Sequence, residues 1–147
     1  MNPELRKAQL AILEIFSSCP GHFALAGGTA LELYYLNHRF SRDLDFFSVR
    51  FNQKEIHTIA DNIKKKYGIV PVMQNELVRP GQARVIFYTL RVKGLDMPLK
   101  LDFVEDNQAD VPDIRKIKGV PIYAVEKIYK MKIAAIAGNR LERDAFG

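Results

Sequence analysis

Along the first third of the chain the spacing of apolar positions changes from helical to extended and back. Leu5, Ala8, Leu10, Ile12, Leu13, Ile15 and Phe16 recur close to a 3.6-residue period and predict a helix over residues 4–17, which "CPG" at 19–21 breaks. "HFALAG" then reads as a short strand running into Gly27-Gly28, and "TALELYYLN" returns to helical spacing. Thr29 with Glu32 three residues later has the form of a capping box, so this helix is expected to start at Thr29. Further on, "DLDFFSV" (43–49) alternates as a strand, "NQKEIHTIADNIKKKYG" (52–68) is an amphipathic helix closed by Gly68, and "IVPVMQ" (69–74) is a short strand. "ARVIFYTLRV" (83–92) and "PLKLDFV" (98–104) are longer strands joined by a turn at "KGLDM". After a polar loop over 105–113, "VPIYAVEKIYKMKIAAIAG" starts extended and becomes the last helix. This order predicts an α/β (α+β) fold, a mixed β-sheet with helices packed against it.

The same alternation places chemistry. On a strand over 43–49, Asp43, Asp45 and Phe47 face one way and Leu44, Phe46 and Ser48 the other, so two carboxylates stand about 7 Å apart at their α-carbons. Charges that close raise the pKa of at least one carboxyl unless a cation lies between them, and a divalent metal is the simplest resolution. A lone D-x-D is more often a solvated sheet face, but this one has company. In "PLKLDFV", Leu99, Leu101 and Phe103 form one face and Lys100, Asp102 and Val104 the other, so Asp102 could close a ligand set for one or two Mg²⁺ ions. Gly27 and Gly28 sit where a strand gives way to a helix, allowing unhindered backbone amides to approach a phosphate. Arg39 and Ser41 lie on the connection between glycines and aspartates, with donors suited to phosphate oxygens. In the last helix, 100° spacing puts Val125, Ile128, Met131, Ala135 and Ile136 on one arc with Lys132 near its middle, and Glu126 and Lys130 opposite. Lys132 either snorkels or reaches for an anion. Arg140, Arg143 and Asp144 read equally as a solvated cluster, an RNA contact or a structural pair.

Composition alters this picture little. A length of 147 residues suits one domain with its own core. The net charge of +5 is compatible with polyanionic partners such as nucleoside triphosphates or RNA. A single cysteine, Cys19, excludes an internal disulfide and a thiol-rich metal motif and points to a reducing cytoplasm. The first helix, with Glu4 and Glu14, does not match a secretory signal, and no apolar run is long enough to span a membrane.

"LAGGTALEL", "HRFSRDLDFF", "LKLDFV" and "KMKIAAIAGNRLERD", in this order over residues 25–144, resemble the motifs of the AbiEii/AbiGii toxin nucleotidyltransferases, within the DNA polymerase β-like superfamily. The resemblance implies the polymerase-β-like nucleotidyltransferase fold as a single domain. It implies a metal-dependent enzyme that moves a nucleoside monophosphate from an NTP to an acceptor hydroxyl, as the toxin of a toxin–antitoxin or phage-defence pair. By the same resemblance Asp43 and Asp45 are metal ligands for Mg²⁺ (or Mn²⁺), and Asp102 is a ligand or the base near the attacking oxygen. Gly27, Gly28 and Thr29 are then phosphate-binding, with Gly28-Thr29 in place of the commoner Gly-Ser, and Lys132 contacts the nucleotide phosphates. The acceptor implied is RNA, tRNA in particular, with a cognate antitoxin as partner; a protein hydroxyl, or a non-catalytic nucleotide- or RNA-binding role, are the alternatives. Related chains continue into further helices beyond the Arg-Asp motif, whereas this one ends three residues after Asp144, so acceptor-binding helices are expected to be absent from it.

Overall fold

A computed structural model of the chain describes residues 3–19, 21–36, 42–78, 80–107, 112–133 and 137. Its centre is a seven-stranded mixed sheet. The strands are β1 (Ala24–Ala26), β2 (Leu44–Ser48), β3 (Val72–Leu77), β4 (Val85–Leu90), β5 (Leu99–Glu105), β6 (Ile114–Ile117) and β7 (Val120–Tyr123), in the spatial order β3-β4-β5-β2-β1-β7-β6. β2 runs parallel to β5 and β1 parallel to β7, and the remaining neighbours are antiparallel.

Helices α1 (Pro3–Ser18) and α3 (Gln53–Tyr67) lie against each other on one face of this sheet. α1 buries Leu5, Ile12, Leu13, Ile15 and Phe16, and α3 buries Ile56, Ile59 and Ile63, each the apolar stripe expected of a 3.6-residue period. Both ends of α3 are satisfied locally. Asn52 Oδ1 accepts from the Lys54 amide at 2.8 Å, and Gly68, at φ 68°, closes the helix with its N–H on the Lys64 carbonyl. Beneath these helices Phe16 stacks on Phe46 with centroids 3.9 Å apart, and Phe103 packs against Phe16, Phe23, Phe46 and Tyr88. Cys19, half-buried near the end of α1, accepts a hydrogen bond at Sγ from Asn62 Nδ2 at 2.9 Å.

Four sequence expectations are corrected. The helix after the glycines begins at Gly27, not Thr29: a single α turn, α2 (Gly27–Ala30), widens into a π-helical segment (Leu31–Leu36). The Thr29 hydroxyl does not cap it but donates to the carbonyl of Asp43, because a buried hydroxyl takes the acceptor in reach of it. β3 lies three residues later than expected, at Val72–Leu77, since it is an exposed edge strand paired on one side only and carries little apolar alternation. β6 carries no strand signal in the sequence, because Ile114 and Ile117 are three apart, off the strand period. It exists through its hairpin with β7, whose turn residues Lys118 and Gly119 both have positive φ (52° and 80°), as a type I′ turn requires. In the last helix, here α4 over residues 125–133, Ile128 is buried and Glu126 and Lys130 are exposed as expected. Lys132, however, is exposed, and the lysine that is buried is Lys127. The packed stripe follows Ala124, Lys127, Ile128 and Met131, the i, i+3, i+4, i+7 rows, and Lys132 falls outside it. Among the described residues no helix is long and apolar enough to cross a membrane.

Candidate active site

β2 is a central strand whose alternate side chains face different worlds. Leu44, Phe46 and Ser48 are buried in the core, while Asp45 and Phe47 are only partly covered. β5 repeats the arrangement, with Leu99, Leu101 and Phe103 inward. The parallel register sets Asp45 directly beside Asp102, so their α-carbons are about one strand spacing apart, roughly 4.8 Å. Asp43 immediately precedes β2 and adds its charge to both.

Two polar side chains fix this approach to β2. Thr29 Oγ1 donates to the Asp43 carbonyl, and Gln9 Nε2, from the buried face of α1, donates to the Arg42 carbonyl at 3.0 Å. Gln9 was not singled out in the sequence, although a glutamine between Leu5 and Leu13 on the apolar stripe is its signal. A buried amide there must have partners: its Oε1 accepts from Arg6 at 2.6 Å, and its Nε2 goes to the chain leading to the aspartates.

On the other side of Asp45, β1 ends at Ala26, its register partner, and the chain turns at Gly27. Gly27 has φ 74°, a conformation that L side chains rarely adopt, and a Cβ there would fall 2.5 Å from Asp45 Oδ2. Glycine is therefore required twice, for the turn and for the room that the carboxylate occupies. Gly28 follows in the first turn of α2, so the amides at this turn and the carboxylates of β2 and β5 adjoin.

The electrostatics are those of crowded like charges. Burial, the charge of Asp102 and a proton-sharing contact with it, and the charge of Asp43 push the Asp45 carboxyl up to about 7, with Lys100 opposing. Asp102 is also raised, first by burial, again with Lys100 opposing. Asp102 Oδ2 lies 3.7 Å from Lys100 Nζ, while its Oδ1 is buried with no hydrogen-bond partner. Two ionised carboxylates supply no donor to each other, so that oxygen is satisfied only by a proton on Asp45 or by a cation. Among the described residues no three acidic, histidine or cysteine side chains close round one point as a finished metal cage. The carboxylates form a partial set of oxygen donors, of the type that suits Mg²⁺.

Of the residues singled out in the sequence, Gly27, Gly28, Thr29, Asp43, Asp45 and Asp102 thus come together. Lys132 is exposed on α4. Arg39, Ser41, Arg140, Arg143 and Asp144 lie outside the described residues.

The sequence profile of the family described as "Nucleotidyl transferase AbiEii toxin, Type IV TA system" matches residues 11–146. The chain belongs to this family. Solved structures show the same fold. A protein of Helicobacter pylori described as a putative nucleotidyltransferase superposes with a TM-score of 0.62 at 21% identity, over 89% of this chain and 57% of that one. JHP933, also from Helicobacter pylori, gives 0.57 at 22% identity, over 86% and 53%. TM1012 of Thermotoga maritima, likewise described as a putative nucleotidyltransferase, gives 0.61 at 13% identity, over 99% and 94%. The chain spans a little over half the length of the two Helicobacter chains. No protein of curated function matches it in sequence. The mixed sheet with flanking helices is accordingly the nucleotidyltransferase fold of the AbiEii family, as the motifs implied.

Proposed function

We propose that this AbiEii-family chain transfers a nucleoside monophosphate from an NTP to an acceptor hydroxyl at the Asp43–Asp45–Asp102 cluster. The observation that carries the reading is the orphaned, buried Oδ1 of Asp102 beside the crowded carboxyl of Asp45, an acceptor-rich site suited to a divalent cation. Asp43 and Asp45 would hold a divalent ion, Mg²⁺ or Mn²⁺, with Asp102 completing the set. Bound there, such an ion neutralises charge on the triphosphate and on the departing pyrophosphate.

The chain's own groups account for the remaining tasks. Gly27 and Gly28 present backbone amides without side-chain obstruction, next to the carboxylates, where phosphate oxygens would lie. Asp102, buried beside Asp45, would be the group that takes the proton of the attacking hydroxyl. Thr29 and Gln9 hold the carbonyls of Asp43 and Arg42 and so keep the first carboxylate aimed at the site. Arg39 and Ser41, from their place between the glycines and the aspartates, and Lys132, on the strength of the motif resemblance, are proposed as further phosphate contacts. The acceptor proposed is RNA, tRNA in particular; the family's toxin–antitoxin description supports a cognate antitoxin and an NTP substrate, and a cytoplasmic location and a role in phage defence belong to the same proposal.

Incubation of the protein with each labelled NTP and Mg²⁺, in the presence of tRNA or of cell lysate, tests this. Label in RNA that depends on metal and disappears in Asp45→Ala supports it. Label in protein would move the acceptor to a protein hydroxyl, and absence of transfer under every condition would leave a binding domain of the same fold.

A further inference from the structure

The carboxylates have a cation beside them already, and it belongs to the chain. Lys100 and Asp102 are two apart on β5, on the same face, and Lys100 Nζ stands 3.7 Å from Asp102 Oδ2. The Asp102 side chain is only 12% exposed and that of Lys100 41%, so the acid is fixed in the protein while the base can move. From the same position the ammonium also lies 4.8 Å from the centroid of the ring of Phe87, the cross-strand partner of Asp102. Neither the motifs nor the fold family assigned this lysine any role.

Building on the metal-binding reading above, we propose that Lys100 is an internal counter-ion that holds the acidic site together without metal and competes with the incoming divalent ion for Asp102. The competition follows from geometry. An ion that takes both oxygens of Asp102 must share or displace the lysine contact at Oδ2, while Oδ1 stands unpartnered and ready. The displaced ammonium stays tethered by its stem on β5, next to the Phe87 ring. The lysine thereby lowers metal affinity in the resting protein and makes tight metal binding depend on ligands that arrive with the substrate.

Mn²⁺ binding without nucleotide, followed by calorimetry or by the electron paramagnetic resonance of the free ion, tests this. Lys100→Met keeps the stem and removes the charge, and it should bind Mn²⁺ about fivefold more tightly than wild type, the scale of a partly screened charge pair. In EDTA the same variant should unfold at a lower temperature than wild type, and Lys100→Arg should match wild type in both respects. Lys93→Met, an exposed lysine in the β4–β5 turn, controls for the overall field and should leave Mn²⁺ affinity unchanged. Equal or weaker binding by Lys100→Met, or equal tightening by Lys93→Met, overturns the counter-ion role while leaving the carboxylates as metal ligands. If neither wild type nor Lys100→Met binds Mn²⁺, both the counter-ion role and the metal-dependent reading fall.

Discussion

The two faces of β2 and β5 are built from the same strands and obey opposite rules. On the face under α1 and α3, Leu44, Phe46, Leu101 and Phe103 are fully buried, and Phe16, Phe46 and Phe103 stack on one another. On the other face the same register aligns Asp45 with Asp102, and both carboxyls are raised, Asp45 by burial and by the charge of Asp102, Asp102 first by burial. The contrast teaches that the first face stabilises the sheet so firmly that the second can store repulsion. A domain of this size is stabilised by only about 5–15 kcal/mol, so crowded buried carboxylates persist only where packing elsewhere offsets them.

Exchanging function against stability on adjacent residues breaks that contrast most sharply. Asp45→Asn should lower metal-dependent transfer by about a thousandfold or more, some 4 kcal/mol of barrier, while leaving urea stability equal to wild type or higher. Phe46→Ala, its neighbour on the other face, should cost about 3–4 kcal/mol in the same unfolding measurement through the cavity it opens. If Asp45→Asn instead unfolds as easily as Phe46→Ala, the acidic face is structural and the division of labour is wrong.

How much of this was legible in the sequence follows from what each feature depends on. The assignment of residues to the two faces needs only period 2, so Leu44, Phe46, Asp45 and Asp102 could be sorted from the chain alone. Gly27 is visible in the sequence as a turn, but its second reason, room for the Asp45 carboxylate, depends on β1–β2 register and is not. Thr29 was read as a cap because local spacing suggested it, and tertiary structure gave its hydroxyl to Asp43 instead. The role of Gln9 is illegible because its contact, Arg42, is distant in sequence; Lys100 shares a face with Asp102 by period 2 alone, but its contact with Phe87 depends on β4–β5 pairing. The helical wheel put Lys132 on the apolar arc because it included positions beyond 133, whereas the described turns pack along Ala124, Lys127, Ile128 and Met131.

A smaller effect sharpens the comparison through pH. The Asp45 carboxyl is raised in the folded protein to about 7, from an unfolded value near 4, so between those limits the folded state holds a proton that the unfolded chain has released. Stability in EDTA should therefore be greatest at the acid end of this window, fall as pH rises from about 4 to about 7, and level off above it. Asp102, shifted the same way, adds to the slope. Asp45→Asn removes its share, so its thermal midpoint should exceed that of wild type by several degrees at pH 8 and approach it near pH 4.5. A difference between the two proteins that does not change with pH would mean that the carboxyl is not perturbed.

The smallest expected effect tests whether the acidic face is aimed or merely crowded. Thr29→Val is nearly isosteric and removes the hydroxyl that donates to the Asp43 carbonyl, leaving that acceptor short of a partner at a cost of about 1 kcal/mol in urea unfolding. If the bond only fills a hydrogen-bonding vacancy, transfer activity should follow stability and stay near wild type in conditions where the variant is fully folded. If it holds Asp43 at the site, as the adjoining Gln9 bond to Arg42 suggests, activity should drop about tenfold in fully folded protein, since sub-ångström misplacement of a ligand is costly in rate. Thr29→Ser, which restores the donor without the methyl group, should recover most of the activity. Failure of serine to do so would assign the effect to packing in the first turn of α2 rather than to the aim of Asp43.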